Sequence, residues 1–314
     1  MNQGDLDADE SRTREEMVSV VLPTHNRPER LARAIGSALG QTYGNLEVIV
    51  VDDASRTDNR PIVDGFDDPR LRYFRLDQNQ GAPGARNLGI MEATGKYVAF
   101  LDDDDEWLPD KLELQVADLK RKEGRFKVSY CIREFYDDDE KVVVGHSKTG
   151  WDGNHLQAFI TGFIVPSTSC VVADKGCLDE VGGFRRDLPR LQDRELWLRL
   201  SEQYDFAFVD RVLVRMHLHG GGRISDDLPA LLKSFAIMYE AHRRLLWKNP
   251  RSLGLFFLNW GYESQKAGDR SSARKLFMKS IVAFPFRKAP YVALGSLTLN
   301  RSIPSAETSS SPEE

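Results

Sequence analysis

The sequence predicts an α/β fold, a mostly parallel sheet flanked by helices, followed by an α-helical C-terminal region. Three observations carry this. Through the first half, apolar β-branched runs alternate with segments of helical period. Two of those runs stop abruptly at acids: 46–51 at Asp52-Asp53, and 97–101 at Asp102-Asp103-Asp104-Asp105. From about residue 229 the texture turns helical, with breaks at Pro250 and Pro285.

Taken in order, residues 1–16 are polar, charged and aperiodic, and are expected to form a disordered tail. Residues 18–22 read as a first strand, stopped by Pro23-Thr24-His25-Asn26-Arg27-Pro28. Leu31, Ala34, Ile35, Ala38 and Leu39 then recur at helical spacing, and Gly44-Asn45 turns the chain into the second strand. This β-α-β order predicts parallel strands joined by a right-handed crossover. A short helix over 62–66 and a short strand over 71–75 follow. The Gly-rich stretch 80–87 reads as a loop entering a helix through Leu88, Ile90 and Met91. It lacks GxxxxGK[ST] and does not directly follow the first strand, so it is neither a P-loop nor a dinucleotide fingerprint. Arg86 within it has two readings: a residue of an ordinary helix entry, or a cation reaching a phosphate or the carboxylate cluster.

The run 97–101 is a buried strand, so the four acids after it lie at a carboxyl end, where open α/β sheets bind ligands. Carboxylates this close raise one another's pKa unless a cation or water separates them. A hard divalent ion, Mg²⁺ or Mn²⁺, resolves the repulsion and leaves positions for phosphate oxygens. The plainer alternative is a solvated acidic turn before the amphipathic helix expected from Pro109, with Leu112, Leu114, Val116 and Leu119 inward. Residues 128–132 resume strand, and the acidic run 137–140 between apolar stretches reads as a solvated hairpin turn. Residues 163–172 read as a strand or strand pair. A turn at Gly182-Gly183 leads to a helix over 191–200 with Leu196, Trp197 and Leu200 as its apolar stripe. Asp193 opens that helix, where an acid also suits a cap or the macrodipole. Short strands at 206–209 and 212–214 run into His217-Leu218-His219, whose imidazoles have two readings, one facing a site or each an ordinary surface or packed residue.

The segments VSVVLPTHNRPERLARAIGSALGQTYGNLEVIVVDDAS, GAPGARNLGIMEATGKYVAFLDDDDEWLPDKL, GGF, QDRELWLRL and VLVRMHLHGGGRIS, in that order, cover most of 18–225. Together they resemble a family 2 glycosyltransferase with the GT-A fold. The resemblance implies an inverting transfer of a sugar from a nucleotide-diphospho-sugar donor to a glycan, lipid-linked or protein acceptor. It places Thr24 and His25 at the edge of the base, Asp53 on the base, Arg86 near the ribose or diphosphate, and Asp103 toward the ribose. It makes Asp102 and Asp104 the DxD motif, with Mn²⁺ or Mg²⁺ held mainly by Asp104. Asp193 falls at the position of the catalytic base, where the family's acidic pair reads Gln192-Asp193 here. His219 matches a histidine of the segment closing the site, toward metal or diphosphate. In this chemistry a divalent cation stabilises charge on the leaving diphosphate, and a carboxylate takes the proton of the attacking hydroxyl.

A catalytic domain is thus expected at 17–228, with the change of texture setting a helical region at 229–302 and composition a second disordered tail at 303–314. Within the helical region AGDRSSARKLFMKSIVAFP resembles one tetratricopeptide-like unit without a second copy. These helices are expected to pack on the catalytic domain or to present a partner or membrane surface. A net charge of −5 argues against non-specific nucleic-acid binding. No apolar run approaches the ~20 residues of a membrane span, and the acidic N-terminus is unlike a signal peptide. The three cysteines are odd in number and lack metal spacing. A cytoplasmic protein, at most peripheral at the inner face of the membrane, is therefore expected. Two other functions fit parts of the pattern. A sugar-1-phosphate nucleotidyltransferase would carry a GxGxR-type loop where this chain has PTHNRPER. A non-catalytic glycan-binding scaffold would have no use for the acids at 102–104 and 193.

Overall fold

The computed structural model describes residues 16–147, 149–218 and 227–299. His219 and both predicted tails, apart from residue 16, lie outside the described residues. The chain divides into two compact units, one formed by 16–155, 166–186 and 196–218, the other by 156–165, 187–195 and 227–299.

Among the described residues the first unit holds one nine-stranded sheet. Its N-terminal half is built as the sequence predicts: β1 (Val18–Thr24), α1 (Pro28–Leu39), β2 (Leu46–Asp52), α2 (Arg60–Asp64), β3 (Leu71–Arg75), α3 (Gly81–Glu92) and β4 (Tyr97–Phe100). Strands β3, β2, β1 and β4 are neighbours in that order and all parallel. β1, β2 and β4 are buried along their whole length, as expected of strands covered on both faces. Leu31, Ala34, Ile35 and Ala38 of α1 close one face into the main core.

Register decides what meets at the sheet edge. Thr24 pairs with Asp52, and Val21 pairs with Phe100. The chain therefore leaves the sheet at Thr24, at Asp52-Asp53 and at Leu101-Asp102 along one carboxyl edge.

The rest of the unit comprises β5 (Asp105–Trp107), α4 (Lys111–Lys122), β6 (Phe126–Asp137), β7 (Val142–His146), β8 (Val171–Asp174), α6 (Lys175–Val181) and β9 (Asp205–Leu218). β8 runs antiparallel between β4 and β6, β9 pairs parallel with β6, and β5 pairs antiparallel with β9. The sheet is thus parallel in one half and mixed in the other.

Four local expectations change. The Gly-rich stretch is not a loop but the first turns of α3: Pro83 fits there because a first-turn N–H needs no helical partner. A Cβ on Gly84 would lie 2.4 Å from the Cβ of Gln80, and one on Gly89 2.2 Å from Val21. Residues 163–172 give only β8, preceded by a 3₁₀ turn, Thr168–Cys170, whose hydroxyls are used elsewhere. The two strands expected at 206–214 are one, because register shifts against Cys131 and Ile132 accommodate Asp210, Arg211 and Leu213. Asp105, the last of the four acids, begins a strand of its own. The 137–140 turn is a hairpin as expected, with Asp137 Oδ1 accepting from the backbone of Asp139 and Glu140 at 2.9 and 3.0 Å.

The second unit comprises α5 (Leu156–Thr161), the first turn of α7 (Gln192–Ser201), α8 (Leu228–Trp247), α9 (Pro250–Lys266), α10 (Arg270–Ala283) and α11 (Ala289–Leu299). Asp227 and Asp269 cap α8 and α10, accepting from Ala230 and Ser272 N at 2.9 Å. Gly268, at φ 80°, makes the tight turn between α9 and α10. Leu258, Ala273, Phe277, Ala293 and Leu297 form the core of this helical array. Gly261 lets the Phe277 ring approach: a Cβ there would sit 2.5 Å from it.

Gly95, just before β4, donates its N–H to Ser19 Oγ at 2.9 Å, and a Cβ would come within 2.4 Å of the Met17 carbonyl oxygen. Because the obstacle is backbone, Gly95→Ala should cost about 1–3 kcal/mol of stability, read as a lower urea midpoint at an unchanged m-value.

Candidate active site

The carboxyl edge gathers most of the predicted residues. Thr24, at the end of β1, is buried and donates its hydroxyl to Asp103 Oδ2 at 2.8 Å. Asp53 is buried one residue past β2. Its N–H reaches Thr24 O at 2.9 Å and its Oδ1 accepts from Gln80 N at 2.7 Å. His25 is exposed, with Nδ1 2.7 Å from Asp53 O. Asn26, held at φ 56°, locks this corner by bonding Ser55 Oγ and Arg56 N. Beyond Asp53, the segment 75–80 and Arg186 line an open groove, and Arg186 Nη1 donates to Gln80 Oε1 at 3.1 Å.

The four acids span a tight turn, in which Asp105 N–H donates to Asp102 O at 3.0 Å. Asp103 and Asp105 point inward and are buried; the side chains of Asp102 and Asp104 keep 27% and 28% of their surface in solvent. Two guanidiniums answer the charge. Arg27 Nη1 bridges Asp103 Oδ1 and Asp104 Oδ2, each at 2.9 Å. Arg86 Nη2 lies 2.5 Å from Asp102 Oδ1. Asp102 is further fixed by the Thr168 hydroxyl on Oδ2 at 3.0 Å and by its own N–H to Ser169 Oγ at 3.1 Å. Arg86 is buried over the Phe184 ring, and its Nε has no hydrogen-bond partner.

Burial pushes the Asp103 carboxyl up to about 6, against the pull of Arg27. Burial, then the charges of Asp102 and Asp104, push Asp105 well above the usual carboxylate range. Burial acts to lower the pKa of Arg27, but Asp103 and Asp104 outweigh it and hold the guanidinium above its ordinary value.

Asp193 belongs to the second unit. It is half-buried as the second residue of α7, two places inside the cap position, and its Oδ1 accepts from Arg194 N at 2.7 Å. The following residues anchor the turn: Arg194 Nε donates to Phe159 O at 2.6 Å, its Nη2 to Ile160 O, and buried Glu195 meets His242 Nε2 at 2.9 Å. Of the two strand histidines, His217 is buried between Asp138, 2.5 Å away, and Glu106, 3.0 Å away.

Thr24, His25, Asp53, Arg86, Asp102, Asp103 and Asp104 are thus brought together in one unit. Sequence reasoning assigned nothing to Arg27, Thr168 or Ser169. Arg27 carried a signal, a basic residue in the PTHNR break beside the edge where four acids end; the two hydroxyls sat inside what read as a strand. Among the described residues no three His, Cys, Asp or Glu side chains cluster to enclose an ion. Asp102 and Asp104 nonetheless suit an ion bound with a diphosphate, since Mg²⁺ in such sites takes one or two carboxylates and completes its shell from phosphate and water. Both also hold a guanidinium, so an ion would compete with Arg27 and Arg86.

The comparisons bear on this geometry. Residues 19–173 match the sequence model described as glycosyl transferase family 2. The chain is 43% identical over 259 residues to the putative colanic acid biosynthesis glycosyl transferase WcaA of Escherichia coli K12, covering 77% of this chain and 87% of that one. It is 26% identical over 238 residues to the E. coli UDP-Glc:alpha-D-GlcNAc-diphosphoundecaprenol beta-1,3-glucosyltransferase WfaP, covering 74% and 90%. Against two rickettsial uncharacterized glycosyltransferases, each 31% identical, it spans 29% and 33% of their length. In structure it is similar to S. aureus TarS 1-349 in complex with UDP-GlcNAc, with a TM-score of 0.67 at 15% identity over 91% of this chain and 92% of that one. At that identity the likeness is one of fold, the GT-A type.

The raised pKa of Asp103 sets a pH test. Its proton is held more tightly in the folded chain than in the unfolded one, so its contribution to stability falls as pH rises from about 4 through 6. Relative to Asp103→Asn, the wild type should lose about 2–3 kcal/mol between pH 4 and 7, read from paired urea titrations. A constant difference across that range would place the titration elsewhere.

Proposed function

The chain belongs to glycosyl transferase family 2, and from that premise we propose that it transfers a sugar, with inversion, from a nucleotide-diphospho-sugar in the assembly of a cell-surface glycan. The observation that carries the reading is the carboxyl edge itself. There Thr24, Asp53 and Asp102 to Asp104 converge with two arginines, so that a polar pocket and two half-exposed carboxylates lie side by side.

In this reading Asp53, with Thr24 and His25 at its edge, holds the base, and the Thr24–Asp103 pair lies under the ribose. Arg86, with its buried unpartnered Nε, and Arg27 stand by the diphosphate, where negative charge grows as the sugar departs. Mn²⁺ or Mg²⁺, held by Asp102 and Asp104 with His219 as a further candidate ligand, would supply Lewis-acid stabilisation of that leaving group. Asp193 takes the proton from the acceptor hydroxyl on the face opposite the diphosphate, and a single displacement inverts the anomeric carbon.

The name of WfaP supports a uridine-diphospho-sugar donor and a diphosphate-lipid acceptor. Such an acceptor sits at a bilayer, and the C-terminal helices are the proposed peripheral contact. Among the described residues no helix is long and apolar enough to cross a membrane.

Two measurements test the chemistry. UDP should bind at least ~10-fold more tightly with Mn²⁺ than with EDTA, and Asp104→Ala should erase the difference while leaving the melting temperature in place. Equal affinity with and without the ion would remove it from the site. Asp193→Asn should keep both melting temperature and UDP affinity while turnover on a hydroxyl acceptor falls ~10²–10⁴-fold. Near wild-type turnover would strike Asp193 from the mechanism, and a product with the donor's anomeric configuration would rule out single displacement.

A further inference from the structure

Between Arg270 and Leu299 the sequence holds six basic residues, Arg270, Arg274, Lys275, Lys279, Arg287 and Lys288, and no acid, in a chain of net charge −5. At about 100° per residue, Arg274, Lys275, Met278 and Val282 fall within roughly a 100° arc on one face of α10, and all four are exposed. The exposed series continues through Phe286, in the connection, to Lys288, Tyr291 and Val292 on α11. Val282 is 71% exposed, Phe286 85% and Val292 61%. These are not stranded core residues, because the inner faces of the same helices already fill the core with Ala273, Leu276, Phe277, Ala293 and Leu297. Single exposed apolar side chains need no explanation, but five large ones in consecutive turns, interleaved with basic residues, mark a binding surface. Like charge is crowded there: burial, then Arg251, holds the Arg287 guanidinium below its ordinary value.

We propose that the α10–α11 hairpin docks on an anionic lipid bilayer, with Val282, Phe286 and Val292 entering the acyl boundary and the lysines and arginines at the headgroups. An acidic protein would answer the charge alone; an anionic leaflet answers the charge and also accepts apolar side chains that project from a connection and two outer helix faces. The proposal rests on the lipid-linked acceptor reading for its place in the reaction, while the surface stands on its own chemistry.

The test is flotation of the full chain with phosphatidylcholine vesicles, with or without about one-third phosphatidylglycerol. Binding should require the anionic lipid and weaken with salt. The double substitutions Val282→Ser/Phe286→Ser and Lys275→Glu/Lys288→Glu should each weaken it at least ~10-fold, with melting temperature and UDP binding unchanged. A wild type that stays with the soluble fraction in both lipids, or variants that float as it does, would overturn the proposal. So would a wild-type dimer split by Phe286→Ser on size exclusion, which would give the face to a second copy of the chain. Vesicle binding as described by a chain that transfers no sugar would support the surface and overturn only the reaction.

Discussion

Four carboxylates in sequence cannot all face one way, and the site is built around that constraint. A tight turn, closed by Asp105 N–H on Asp102 O at 3.0 Å, buries Asp103 and Asp105 and leaves Asp102 and Asp104 at the surface. The inward pair meets a low-dielectric interior, which raises both pKa values, and only Asp103 is given a full counter-charge. The outward pair keeps part of its surface in solvent, which a ligand site requires. The two acids of the D-x-D spacing are thus the surface side of that turn, and the residue between is a structural partner of Thr24 and Arg27.

The sequence reading took the crowding of acids as a sign of a metal. The structure shows that the protein also supplies cations of its own. Arg27 comes from the break after β1 and Arg86 from α3, and each reaches a different outward acid. In the proposed reaction a donor diphosphate would bring negative charge to these same guanidiniums, and a metal would bring positive charge to these same carboxylates. The arginine–aspartate pairs would then hold both halves of the site in shape until ligand charges exchanged with them. Buried or half-buried pairs of this kind contribute little net stability but are costly to leave half-made, which favours a site that binds donor and ion together.

What the sequence revealed and what it hid divide along one physical line. Strands buried on both faces announce themselves as apolar β-branched runs, so β1, β2 and β4, and with them the acidic edge, were legible. Segments whose purpose is to hold a polar group were not. Thr168-Ser169-Cys170 is flanked by apolar residues and reads as strand, yet it turns as a 3₁₀ helix because its hydroxyls serve Asp102 and the Asp102 backbone. The Gly-rich stretch at 81 reads as a loop because glycine usually means one, whereas here Gly84 and Gly89 are needed for close approach within and behind a helix. Long-range hydrogen bonds over 66 and 67 residues leave no periodic trace in sequence.

The same reasoning explains why Asp193 looked like a cap and is not one. A cap residue precedes the helix and turns its side chain back on it; Asp193 lies within the first turn, and its carboxylate accepts the next residue's N–H. The turn does not depend on that bond. Arg194 ties it to the carbonyls of Phe159 and Ile160, and Glu195 ties it to His242. A half-buried acid held by its neighbours, in the positive field of a helix start, is what a general base at this position would require.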